Sequence, residues 1–283
     1  MATAKSADTK GKSAAKATTG KSGTAKTAAS RSSGKTATIV SKTAAKTPAK
    51  TGTAKTTTTA EKAMPRKTEP KAANLVKEAA PAVKKGDCIK FGSYYQENGS
   101  KKSPIEWLVL EKKGDELLLI SRYGLDCKQY HHECVDMTWE KCDLRKWLNN
   151  DFLKAAFTAE ERKKIKVSSL TNEDNPQYQT KGGNATKDQI FCLSLAEAKK
   201  YFKDDAARQC KATKYAVSNH CWVNPNASEK GYGYSWWWLR SPGLNQYLAS
   251  GVGAVGALNP YGGAYVNFVS RAVRPALRII WNR

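Results

Sequence analysis

An α+β fold, an antiparallel or mixed sheet with two or three helices to one side, is what the sequence predicts for its second two-thirds. Three observations lead there. All 26 aromatic residues and all seven cysteines lie in residues 87–283, which confines any core to those 197 residues. Short apolar runs alternate there with turn signals, as strands joined by tight connections do. Two capping-box signatures, Thr158 with Glu161 and Ser194 with Glu197, open amphipathic stretches of helical character.

Residues 1–86 are of another kind. They hold 19 Lys and Arg against four acids, a net charge of +15, with no aromatic residue at all. Such a stretch cannot bury enough apolar surface to offset about 1–2 kcal/mol of backbone entropy per residue, so disorder is expected. Its short Ala/Lys/Thr units resemble linker-histone tails and the Lys/Ala-rich histone-like proteins of bacteria, and Thr47-Pro48-Ala49-Lys50 fits their T-P-x-K unit once. Dispersed lysines on a flexible chain neutralise phosphates without reading bases, so nucleic acid is one expected partner; a solubilising spacer is the other reading. No apolar run approaches the roughly 20 residues of a membrane span, and Met1 opens a polar tract with no apolar signal-peptide core. A cytoplasmic, nucleoid-associated location without membrane contact is therefore expected. The odd cysteine count and the lack of CxxC agree with reduced thiols.

From Asp87 the elements come in order. Cys88 to Tyr95, Ile105 to Leu110 and Leu117 to Ser121 read as strands separated by Asn98-Gly99 and Lys113-Gly114-Asp115 turns. Connections this short make an antiparallel meander. Leu144, Trp147 and Leu148 share a helical face from about Asp143, and the AEERKKI helix places acids first and lysines last, as the helix dipole prefers. Lys166 to Leu170 and Ile190 to Leu193 read as strands, Thr171 to Lys187 as a long surface loop, and Leu195, Ala198 and Tyr201 as one helical face. Tyr215 to Tyr234, rich in Asn, Gly and Ser, reads as loop. Trp236 to Arg240, Tyr247 to Leu258, Gly263 to Phe268 and Val273 to Ile280 supply the last strands.

Candidate chemistry is sparse. Cys127, His131, His132, Cys134 and Cys142 cluster, but their spacing fits no zinc finger, ribbon or knuckle, so they read as loop residues and a buried thiol, with no metal and no cofactor expected. No phosphate-cradling glycine loop, HExxH or recognisable Ser/His/Asp context occurs, and His220 is a lone loop histidine. Catalysis is not expected. The informative stretch is the last fifth. WWWLRSPG at 236–243 and VRPALRII at 273–280 bracket a segment poor in charge and rich in Gly, Asn, Ser and Tyr, the residue types that recognition surfaces use. If extended, Trp236 and Trp238 share one face while Trp237 takes the other, and a buried indole N–H needs a partner. Arg240 and Arg274 stand in the two anchors, where pairing with carboxylates would pin the loop ends.

These pieces carry a likeness. IKFGSYYQ at 89–96, PIEWLVLE at 104–111, LRKWLNNDF at 144–152, WWWLRSPG and VRPALRI resemble a bacterial domain of uncharacterised function with a C-type-lectin-like fold, akin to the formylglycine-generating-enzyme branch. Several proteins of this kind are the variable proteins of diversity-generating retroelements, which rewrite adenine positions near the 3′ end of their own gene. The resemblance implies a ligand-binding display protein with a variable region over 244–270 and an unknown protein or other macromolecule as partner. Candidate variable positions are Leu244, Asn245, Tyr247, Leu248, Gly251, Gly253, Ala254, Asn259, Tyr261, Gly263, Ala264, Tyr265, Asn267 and Phe268. Trp236, Trp237, Trp238, Arg240 and Arg274 are the structural anchors, and Gln246, Ala249, Val252 and Gly256 resemble constant framework. Many of the residue types present arise from an AAY codon by changing adenines alone. The oxidase of this fold needs a cysteine pair beyond Cys221, which this sequence lacks, and residues 236–283 contain no Asp or Glu, which disfavours calcium-dependent sugar binding there.

Overall fold

Two large sheets and a separate two-stranded one make up the body. The computed structural model describes residues 82–281, so the disorder expected of residues 1–81 lies outside the described residues. The ordered body starts slightly before Asp87: Val83 packs on the core, and the Gly86 N–H donates to the Val109 carbonyl at 2.9 Å. Among the described residues no helix is long and apolar enough to cross a membrane.

The first sheet opens with the meander read from the sequence. Strands β1 (Cys88–Tyr95), β2 (Lys102–Lys113) and β3 (Glu116–Ser121) pair antiparallel in succession. Alternation in β2 turns Ile105, Trp107 and Val109 inward, whereas β3, a central strand, is buried from Leu117 to Ser121. A register shift in β1 between Lys90 and Ser93 includes Gly92, at φ +66°, where a Cβ would stand 2.5 Å from the Phe157 ring. Only glycine fits that kink.

A short β4 (Asp126–Cys127) precedes the helical layer, which holds more and shorter helices than expected. Helix α1 (Asp143–Trp147) runs through a π-helical turn, Leu148–Phe152, into α2 (Leu153–Ala156). Asn149 marks that turn, with its side-chain amide donating to the carbonyls of Arg145 and Ile190. Helix α3 (Ala159–Lys164) and, further on, α4 (Leu195–Tyr201) carry both halves of the expected capping boxes. Between them lie β5 (Ile165–Lys166), β6 (Ser168–Leu170), β7 (Thr186–Asp188) and β8 (Ile190–Phe191), with β6 and β7 forming a separate hairpin. Helices α5 (Asp205–Arg208) and α6 (Lys214–Ser218) went unread, the second inside the stretch taken as loop. Four or five residues are too few for apolar periodicity to show, and Asp204 and Thr213 cap them instead.

The second sheet is built from β9 (Trp237–Pro242), β10 (Ala249–Val252), β11 (Leu258–Asn259), β12 (Ala272–Val273) and β4, in the order β11-β10-β9-β12-β4. It is mixed, since β12 runs parallel to β9. The strand expected over Tyr247 to Leu258 is split by a turn at Gly253–Gly256, where Gly256, at φ +85°, lies against the Asp205 backbone. No strand forms over Gly263 to Phe268; Leu248 and Tyr265 make only an isolated bridge. Directly after β12, strand β13 (Ala276–Ile280) joins the first sheet between β3 and β5 and also pairs with β8, so two residues, Arg274 and Pro275, carry one sheet into the other.

Glu197 serves two elements. Its carboxylate accepts from the Ser194 N–H at 2.9 Å, closing the α4 cap, and pairs with the buried Arg240 guanidinium of β9. Glu197→Ala should lower unfolding free energy by about 3–5 kcal/mol, chiefly by leaving a buried cation without its counter-charge. Urea denaturation monitored by tryptophan fluorescence reads this directly. A loss below about 1 kcal/mol would show that the pair adds little beyond the cap.

Candidate ligand-binding face

The tryptophan run sets the floor of the site. Trp237 and Trp238 are fully buried, and Trp236 is half-buried. Alternation along the run holds as expected, and each face of it receives one arginine, Arg271 from just before the C-terminal anchor or Arg274 from within it. The Arg271 guanidinium carbon lies 4.6 Å from the Trp236 ring centre and 5.1 Å from that of Trp238. The Arg274 carbon lies 4.9 Å from Trp237 and 5.3 Å from Phe202. Both buried indoles find acceptors: Trp237 donates to the Arg208 carbonyl at 3.1 Å and Trp238 to the Lys128 carbonyl at 2.9 Å.

The anchor arginines divide. Arg240 pairs with a carboxylate, as expected, and also donates to the Cys192 and Thr171 carbonyls. Arg274 does not. Its Nε donates to the Ser121 carbonyl and its Nη1 to the Arg208 carbonyl, both at 3.0 Å, so backbone replaces the expected acid in a region that carries none. Burial pushes the Arg274 pKa down. Arg271, which sequence reasoning passed over, is 5 % exposed, and its Nε and Nη1 have no hydrogen-bond partner among the described residues. Burial alone draws its pKa to about 10.

Above this floor the candidate variable positions sort into three groups. Tyr247, Tyr261, Gly263, Tyr265 and Phe268 are exposed; Leu244, Asn245, Asn259 and Asn267 are half-buried. Leu248, Gly251, Gly253, Ala254 and Ala264 are buried, which corrects their reading as displayed surface: they lie beneath the face, not on it. A Cβ on Gly251 would meet the Trp237 carbonyl oxygen at 3.0 Å, and one on Gly253 would rest on the Trp236 ring at 3.5 Å. Tyr247 and Tyr265 stack at 5.9 Å with 22° between their planes. A cavity of about 380 Å³ opens among these rings, and nine of its ten lining residues are candidate variable positions, Gly262 being the tenth. A second cavity of about 240 Å³ shares Gly263 and Phe268 with it and is completed by Trp222, Trp236, Ser270 and Arg271.

The framework residues hold the loop from below. Gln246 donates to the Lys181 carbonyl at 2.6 Å, Ala249 and Val252 are core, and Gly256 makes the turn between β10 and β11. The polar stretch 171–187 is no free loop. Asn175, fully buried, donates to the carbonyls of Pro242 and Pro260 at 2.8 Å and of Gly243 at 3.2 Å, while its Oδ1 receives the N–H groups of Gln177 and Tyr178. Thr180 donates to the Leu244 carbonyl at 2.7 Å, and Tyr178 meets Tyr261 edge to face. The signal for this fastener was Asn175-Pro176, an Asx-turn dipeptide, although its long-range partners are invisible in sequence.

The Cys/His cluster separates in space. Cys142 is buried and caps α1, Cys127 donates to the Val269 carbonyl at 3.1 Å, and Cys134 is exposed. His131, His132 and Asp143 keep together, offering three potential metal-ligand atoms within 4.8 Å. Both imidazole Nδ1 atoms already contact one Asp143 oxygen, at 2.8 and 2.5 Å. Desolvation, the largest single effect, raises the Asp143 pKa, but the hydrogen bonds from His132 and Lys146 together bring it down to about 2. A further pairing unseen in sequence joins the buried thiols of Cys127 and Cys221. The interaction between them pushes the Cys127 pKa up and draws that of Cys221 down.

Against known proteins, the family described as Domain of unknown function (DUF6273) matches residues 114–281, a span that includes every residue of both cavities. No curated protein matches the chain, and no solved structure does.

Asn175→Ala should free three carbonyls under the face and cost about 1–3 kcal/mol. Hydrogen exchange should localise the change, with amide protection falling over residues 242–262 while the β1–β3 meander keeps its own. Uniform loss of protection would mean that Asn175 supports the whole body and not this loop.

Proposed function

We propose that this chain, which belongs to the DUF6273 family, is a binding protein of C-type-lectin-like fold over residues 87–283, displaying the 244–270 surface to a protein or other macromolecular ligand. In this reading it is the variable protein of a diversity-generating retroelement, and it is not an enzyme. One observation carries the proposal: the 380 Å³ cavity is lined almost wholly by positions singled out from the sequence as candidates for variation, with Tyr247, Tyr261, Tyr265 and Phe268 exposed around it. Exposed aromatics gathered at one cavity, on loops fastened from beneath, suit recognition because rigid rings bring contact area at small entropic cost.

The first test reads the gene. A near copy of the codons for residues 240–275, differing only where it carries adenine, is the expected finding, and its absence overturns the diversification reading. A second test needs no ligand. The triple substitution Tyr247→Ala, Tyr261→Ala, Tyr265→Ala should change stability by no more than about 1 kcal/mol, as surface changes do, whereas Trp237→Ala should cost about 3–5 kcal/mol. A triple variant that unfolds would make these tyrosines part of the core.

The basic tract supports a separable second activity. A net charge of +15 over residues 1–86, +13 of it in residues 1–81, without aromatics gives polyanion affinity independent of base sequence. Removing residues 1–81 should abolish DNA binding and leave ligand binding by the body intact. In the full chain the log–log salt slope should be about −0.9 per phosphate neutralised. A flat salt response would remove nucleic acid as a partner, and loss of every activity on truncation would favour a nucleoid-associated protein acting through the tract.

A further inference from the structure

The smaller cavity has a feature that its neighbours lack. Its base is the Arg271 guanidinium, 95 % buried, with five N–H donors by chemistry and no acceptor found for Nε or Nη1. Arg274, equally buried and equally set among aromatic rings, donates to two backbone carbonyls. The two residues stand three apart in sequence, so the contrast isolates what is unusual about Arg271. Indole π-faces stabilise its charge but do not replace in-plane hydrogen-bond acceptors. No Asp or Glu occurs after Glu229, and Arg271 has no ion-pair partner among the described residues. At neutral pH the group stays charged even with its pKa drawn down to about 10.

We propose that this cavity receives a carboxylate carried on an apolar stem, with Arg271 as the residue that binds it; the inference deepens the binding function above and rests on it. The guanidinium fork matches a carboxylate edge to edge. Arg271 is the one cation among the residues lining the cavity, so a monoanion balances its charge where a phosphate dianion would leave excess. Trp222 and Phe268 are 40 % and 46 % exposed and form walls against which an apolar stem loses water. Gly263 and Phe268 belong to both cavities, so the tyrosine-rich face and the arginine cavity adjoin.

The test titrates the full chain with N-acetyl-L-phenylalanine, its primary amide, 3-phenylpropionate and phenyl phosphate, following the Trp222 and Trp236 indole N–H and Arg271 Nε–H signals by NMR. Saturable shifts with the carboxylates, and binding of the amide weaker by about 30-fold or more, are expected. Tighter binding of N-acetyl-phenylalanine than of phenylpropionate assigns the carboxylate to a peptide chain end; equal or weaker binding assigns it to a free acid. Arg271→Gln should abolish the carboxylate response. Because Arg271 packs between tryptophans, Trp222→Ala supplies an independent variant at a half-exposed wall: it should weaken the carboxylate by about tenfold or more, a loss of roughly 1.4 kcal/mol, with the other indole signals unmoved. Equal binding of acid and amide, no saturable shift up to the solubility limit, or preference for phenyl phosphate overturns the proposal. Its failure beside a gene that carries the near copy leaves the display reading standing with another ligand, and a carboxylate response without the copy does the reverse.

Discussion

Two guanidinium groups packed on opposite faces of one tryptophan strand are the constraint on which the rest of the molecule depends. Trp236 and Trp238 look one way and Trp237 the other, and Arg271 and Arg274, three residues apart, reach one face each. The arrangement requires the C-terminal segment to run beside β9, as the parallel pairing of Ala272 with Trp237 shows. It also requires the chain to leave one sheet and enter the other at once, because Arg274 and Pro275 stand between β12 and β13. The Ser121 N–H donates to the Pro275 carbonyl and the Ser121 carbonyl receives Arg274 Nε, which fastens the crossing to the end of β3. Buried cations on this scale are tolerated because each has either ring faces, carbonyls or a carboxylate around it.

Given that floor, the segment between the anchors needs no hydrophobic core of its own. Its backbone is satisfied from below by side chains distant in sequence, Asn175 and Thr180, while its own Gln246 donates to the Lys181 carbonyl, and its small residues lie where larger ones would strike the backbone or the indole rings. Support of this kind leaves the outward side chains energetically free. A binding surface can then change residue by residue without endangering the fold, which is the physical condition that a diversified display region must meet.

The legible parts of the structure were those governed by neighbours in sequence. The β1–β3 meander follows from turn residues at short spacing, and the α3 and α4 caps follow from Thr158 and Ser194 meeting a glutamate three residues on. The alternation of the tryptophans follows from the strand period. Each of these depends on neighbours in the chain, the widest pairing joining Cys88 to Leu108, and each was found where expected. Helices α5 and α6 escaped because they are single turns held by caps, and the strand expected after Gly263 failed because local β-propensity met a bridge and tight turns instead.

The sequence by itself determined where the core could lie, which residues would anchor it, and that the stretch between the anchors would be poor in charge and rich in tyrosine and small side chains. Composition and period suffice for that, since they limit which surface can leave water. Only the tertiary structure decided which of the fourteen candidate positions face outward, that Asn175 is a fastener and not a loop residue, that Arg274 bonds carbonyls in place of an acid, and that Arg271 stands charged and without an acceptor at a cavity. Burial and hydrogen-bond partnership are properties of pairs brought together across tens to more than a hundred residues. A one-dimensional pattern carries the capacity of each group to bond, but not the identity of what will be there to meet it.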